Sequence, residues 1–134
     1  SLIPFGITGT SLRPVFHMGG FLGAAAPIFE IREAGGPATD LLISDRKLGA
    51  ALARTLGPAP FALMRGHGAV AVGATLKQAV YRAIYAEVNA RLQSEAMRLG
   101  NITFLNEQEA ANAARTIDGV IDRPWELWKS RVED

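Results

Sequence analysis

Apolar and polar positions divide this chain into short extended runs and amphipathic helices. PIFEIR (27–32) has the β-branched and aromatic content of a strand. FALM (61–64) and AVAV (69–72) are unbroken apolar tetrads joined through RGHG, a pattern that predicts two short strands covered on both faces. Thr75 followed by Gln78 reads as a capping box that opens the strongest helical pattern in the chain. Along it, Leu76, Val80, Ile84, Val88, Leu92 and Ala96 recur every fourth residue, with Lys77, Arg82, Glu87 and Arg91 off that stripe and Gly100 at the end. Another helix is predicted from about Asp45 to Leu56, capped by Ser44 and closed by Gly57, with Pro58 and Pro60 barring its continuation. Asn106 with Glu109 repeats the cap signature. Pro124 opens a terminal helical segment within 120–134.

Other stretches are less decided. Residues 1–26 leave helix and loop open, EAGGPATD (33–40) marks a surface loop, and NITFL (101–105) suits either a strand or an extended linker. Strands alternate with helices, with no internal repeat and no low-complexity separator. Residues 1–134 therefore read as a single α/β domain whose longest helix packs on a sheet.

Composition narrows the possible partners. The 134 residues are 49% hydrophobic and 20% charged, an ordinary globular balance with enough chain to bury a core. A formal charge of +1 gives no reason to expect nucleic acid or an anionic membrane as partner. No apolar run reaches the ~20 residues of a membrane helix. With no cysteine, disulfides and thiolate metal sites are excluded, and the expected location is the cytoplasm. The chain opens on a hydrophobic SLIPF rather than a polar start, so it is expected to be the later part of a longer polypeptide.

His67 lies between two glycines, with Arg65 just before it. Glycines there admit backbone angles that other residues resist and let a ligand or a second chain approach closely. The imidazole could bind a metal, carry a proton or simply hydrogen-bond within the turn. A catalytic zinc centre needs three protein ligands and an open position, and this chain offers only His17 and His67. Tyr81 and Tyr85, one helical turn apart, read as packing residues. So do Trp125 and Trp128, and Arg65 reads as an anchor for the turn through backbone carbonyls.

RGHGAVAVGATLKQAV (65–80), followed by the helix containing YAEVNARLQSEA (85–96), resembles the class II aldolase/adducin family. SLIPFGITGTSLRPVFHMGGFLG (1–23) is similar to the segment that follows the family's His-x-His pair, and the resemblance covers roughly 1–110. It implies a three-layer αβα sandwich with a central, largely antiparallel sheet, whose N-terminal part would lie outside this chain. It also implies that His67 is the third ligand of a divalent metal, most often Zn2+ and sometimes Mn2+. The His-x-His ligands and the acidic proton carrier would precede Ser1. The reaction implied is carbon–carbon cleavage, by aldol cleavage or decarboxylation, of a small hydroxy, keto or sugar acid through a metal-stabilised enediolate. His17 stands where several sugar-phosphate aldolases place a catalytic tyrosine, a departure that points toward sugar-acid lyases and decarboxylases of hydroxylated aromatic or pyridine acids. His17 is then a candidate proton carrier, and Arg13 a candidate for binding the substrate carboxylate. A homotetramer with active sites between subunits is expected. The alternatives are an adducin-like assembly module without chemistry and an inactive fragment of the enzyme.

Overall fold

FALM forms the central strand of a three-stranded sheet in the computed structural model, which describes residues 1–132. Strand β1 (Ile28–Phe29) runs parallel to β2 (Phe61–Met64), and β2 runs antiparallel to β3 (Gly68–Ala71). The sheet is therefore mixed. All four residues of β2 are buried, as an apolar run in a doubly covered strand should be. Period-two alternation sorts them between two clusters. Phe61 and Leu63, paired with Ala71 and Ala69, join Phe5, Phe21, Tyr81 and Ala90. Met64 and Val70 join Phe29, Ile31, Leu48 and Ala51.

Helices α1 (Ile3–Ile7) and α4 (Leu76–Leu99) border the first cluster, and α3 (Arg46–Leu56) borders the second. Between β1 and α3 lies α2 (Arg32–Gly35), a single turn. The predicted strand 27–32 pairs only at Ile28 and Phe29, because the Glu30 carboxylate accepts from the Arg32 N–H at 2.9 Å and the chain turns into α2. The cap of α3 is Asp45 rather than Ser44: its Oδ1 accepts from the Leu48 N–H at 2.8 Å.

The long helix is where the expected pattern is overturned. Leu76 is 71% exposed and Ile84 37% exposed, whereas Tyr81, Ala86, Asn89, Ala90 and Gln93 are buried. Each four-residue step advances about 40° beyond a full turn, so a strict i+4 series winds around the helix instead of holding one face. Thr75 does cap α4, accepting from the Gln78 N–H at 3.3 Å, but the Gln78 side chain bonds the Ala74 N–H instead of that of Thr75.

Segment 1–26 resolves into α1, an extended stretch at 11–15 and a 3-10 helix, His17–Leu22. The extended stretch pairs with no strand. Asn89 accepts from the Val15 N–H at 3.0 Å and donates to the Arg13 carbonyl at 2.7 Å. Gln93 accepts from the Arg13 N–H at 3.0 Å and donates to the Ser11 carbonyl at 2.8 Å. Two amides one helical turn apart thus satisfy the backbone groups that a neighbouring strand would otherwise take.

Helix α5 (Glu107–Asp118) opens on a complete capping box: Asn106 accepts from the Glu109 N–H at 2.8 Å, and Glu109 accepts from the Asn106 N–H at 2.9 Å. NITFL has no strand assignment and makes a single backbone bond, from the Leu105 N–H to the Pro14 carbonyl at 3.1 Å. The terminal segment forms α6 (Asp122–Ser130), whose Trp128 packs near Tyr81 and Tyr85 at ring separations of 6.5 and 6.1 Å.

The adjacent Gly19 and Gly20 let the 3-10 helix lie between α4 and α5. A Cβ on Gly19 would stand 2.3 Å from the Asn89 amide oxygen, and one on Gly20 would stand 2.6 Å from the Ala110 carbonyl. Gly20→Ala is therefore expected to cost about 1–3 kcal/mol of stability by overpacking, measured by urea denaturation. Gly49→Ala is the contrasting variant: it lies inside α3, where the new methyl meets nothing nearer than 3.9 Å, and should stabilise by roughly 0.5–1 kcal/mol.

Candidate functional site

His67 is carried by the three-residue connection Arg65–Gly66–His67 between β2 and β3. Its backbone N–H donates to the Met64 carbonyl at 3.0 Å, and Gly66 has φ +69°, the positive angle a type II turn demands at its third position. Gly68 has φ +149°, again outside what a side chain favours. The first glycine is pressed by the loop 36–45: a Cβ on Gly66 would come within 3.3 Å of Leu41 Cδ1. His67 itself is exposed, and its ring takes part in no hydrogen bond among the described residues. The turn is held in place while its imidazole has no partner among the described residues.

Arg65 supplies the other anchor, by a route the sequence did not suggest. Its N–H donates to the Phe29 carbonyl at 3.1 Å, while its side chain reaches the Glu30 carboxylate instead of carbonyls, with Nε 2.6 Å from Oε2. The Arg32 guanidinium binds the same oxygen at 2.7 Å. Arg65 Nε is buried and finds no aligned hydrogen-bond acceptor, so its attraction to Glu30 is that of an ion pair. The Arg32 side chain, then its backbone N–H, and then Arg65 hold the Glu30 carboxyl down to about 2 against opposing desolvation. Glu30 stays ionised through the weakly acidic range, and its pairing weakens only as pH falls from the ordinary carboxyl value of 4.5 toward 2.

His17 is exposed at the first position of the 3-10 helix, edge-on to Phe16 with ring centroids 5.9 Å apart. Arg13 is half-buried, its guanidinium 4.1 Å over the ring of Phe104. It opens on a cleft of about 460 Å³ whose walls include Thr10, Ser11, Gln93 and Asn101. No carboxylate among the described residues pairs with Arg13. Neither histidine lines this cleft, and no hydrogen bond or ring contact among the described residues joins His67 to His17 or Arg13. The structure places Arg13 and His17 on one segment and His67 on another.

As a metal donor, His67 fits singly: it is exposed, glycine-flanked and uncommitted. Among the described residues no three His, Asp or Glu side chains gather around a point that could hold a cation. Tyr81 is a packing residue, as expected, with its ring 4.5 Å from that of Tyr85 and its hydroxyl donating to the Met18 carbonyl at 3.1 Å. Burial pushes the Tyr81 phenol well above its ordinary range, with Tyr85 and Asp118 adding to the shift. Asn89, Gln93 and Glu30 were not singled out from the sequence, although each positions a segment bearing a candidate residue. The legible signal for the first two is a pair of amides four residues apart, beside small Ala86 and Ala90.

Residues 7–94 match the model of the class II aldolase and adducin N-terminal domain. That span includes Arg13, His17, His67 and most of α4. The chain is also 37% identical over 155 residues to the decarboxylase tropJ of Talaromyces stipitatus, an alignment covering 99% of this chain and 58% of that protein. The chain thus spans somewhat over half the length of this curated relative. No helix among the described residues is long and apolar enough to cross a membrane. With the family's domain model running from α1 through the histidine turn and along α4, the chain belongs to the class II aldolase/adducin family.

Proposed function

We propose that these residues form part of a lyase that breaks a carbon–carbon bond in a small hydroxy or keto acid, by decarboxylation in preference to aldol cleavage. The observation that carries this reading is the 37% identity to a protein named as a decarboxylase, extending over 99% of the chain. Family membership leaves the choice of reaction open, since one fold hosts many chemistries.

In this reading His67 is one ligand of a divalent cation, Zn2+ or Mn2+, whose other donors lie outside the described residues. A cation held there would act as a Lewis acid toward carbonyl and hydroxyl oxygens of the substrate. The chain's own residues have separate tasks. His67 offers an imidazole nitrogen from a turn tied to Met64, Phe29 and Glu30. Arg13, braced on Phe104 and with no carboxylate partner among the described residues, presents a planar fork suited to the substrate's acid group. His17, exposed at the head of the 3-10 helix, is placed to carry a proton.

The separate apolar clusters on the two faces of the sheet support the three-layer αβα arrangement. Exposed Ile3, Ile7, Leu76 and Ile84 support association into a homo-oligomer, which we assign as a tetramer. A cytoplasmic location belongs to the same proposal.

The test uses the whole protein that contains these residues. Its metal content is measured, and carbon dioxide release is followed with hydroxylated aromatic acids and aliphatic keto and hydroxy acids. We expect release that chelation abolishes and Zn2+ or Mn2+ restores. Absence of both bound metal and product, with metal supplied, would leave the adducin-like assembly role instead.

A further inference from the structure

We propose that Glu30, acting through Arg65, is a positioning residue for the His67 imidazole. This rests on the reading of His67 as a metal ligand. Three observations converge on it. Glu30 sits directly after the two-residue strand β1 and accepts from the Arg32 N–H at 2.9 Å, which pins its carboxylate at the end of the sheet. The same carboxylate lies 2.6 Å from Arg65 Nε, the side chain of the first residue in the histidine turn. The Arg65 N–H is tied to the Phe29 carbonyl at 3.1 Å, so backbone and side chain of Arg65 are both anchored to the β1 end.

The chemistry explains why an arginine is used. His67 stands two positions after the anchored Arg65, so any slack in the turn passes directly to its ring. Glycines on both sides of His67 make the turn easy to form but supply no stiffness of their own. Stiffness has to come from outside, and a half-buried ion pair to a carboxylate already fixed by Arg32 provides it. Burial of Nε removes water as an alternative partner, so releasing Glu30 would leave the Arg65 charge without its counter-ion. Leu41 closes the opposite side of the turn against Gly66. Groups hydrogen-bonded directly to a metal ligand commonly change affinity by about 10–100-fold when removed. Arg65, which acts on the main chain two positions from His67, is expected to act less strongly.

The experiment compares Glu30→Gln, Arg65→Met, Arg65→Lys and His67→Ala in the whole protein. Amide exchange over residues 64–68 is read beside that of α4, and Zn2+ affinity is measured by competition with a chelator. Glu30→Gln and Arg65→Met should speed exchange in the turn while leaving α4 unchanged. They should weaken Zn2+ binding by roughly two- to tenfold, below the effect of a group bonded directly to the ligand. Arg65→Lys, which keeps the charge, should restore most of both. Unchanged exchange and unchanged affinity in Glu30→Gln, with metal lost in His67→Ala, overturns the positioning role while sparing the ligand assignment. Full metal retention in His67→Ala overturns the ligand assignment and with it the proposal, whatever the turn does.

Discussion

Replacing His67 with alanine is expected to bring bound divalent metal and lyase turnover down together, with little change in stability. The imidazole is exposed and bonds to nothing among the described residues, whereas the turn is built from main-chain groups and from Arg65. Truncating an exposed side chain of that kind usually moves stability by no more than about 0.5 kcal/mol. The loss in function should be far larger, because a catalytic site of this sort holds its cation with only about three protein ligands. Metal analysis, turnover and urea denaturation of the same preparation separate the two effects. Unaltered metal stoichiometry would remove His67 from the site, and a large drop in stability would show that the ring is structural.

Asn89→Ala should carry the largest stability penalty, about 2–4 kcal/mol. The side chain is fully buried and makes two hydrogen bonds to the extended stretch, one with the Val15 N–H and one with the Arg13 carbonyl. Alanine would strand both backbone groups beside a helix that has nothing else to offer them. Gln93→Ala should behave similarly, since it holds the Arg13 N–H and the Ser11 carbonyl. The two amides grip the same residue, Arg13, from its two sides, so the double variant should cost less than the sum of the singles. Urea denaturation measures this, and amide exchange at Arg13 and Val15 locates it. A cost below about 1 kcal/mol for Asn89→Ala would mean that water replaces the amide and that the ladder is not what orders the segment. Because the stretch carries Arg13 and leads into His17, its loosening should also weaken substrate binding.

Different kinds of information explain what was legible beforehand. The strand FALM, the caps at Thr75 and Asn106 and the terminal helix were readable because each depends on residues within about four positions of one another. The cap of α3 slipped by one residue because Ser44 and Asp45 are both competent, and only the backbone path chooses between them. The apolar series from Leu76 to Ala96 misled because it was taken as a face, although a four-residue period drifts on a helix of 3.6 residues per turn. Apart from Tyr81, the face α4 buries is marked by small and amide residues, which a search for hydrophobic stripes passes over.

The glycine-bounded turn drew attention to His67 from the letters alone, and the family likeness implied its role as a metal ligand. Its stiffness was not. Glu30 and Arg65 are 35 positions apart, and only the parallel pairing of β1 with β2 brings them to the same end of the sheet. The same holds for Arg13 over Phe104 and for the amide ladder. By itself the sequence determined the strands around the histidine turn, the capped helices and the kinship. Tertiary structure alone decided which helix face is covered, which charges meet and how the 11–15 backbone is satisfied. The physical reason is range: capping and turn geometry are settled within a few bonds, whereas burial and ion pairing depend on which distant segments the sheet and helices bring together.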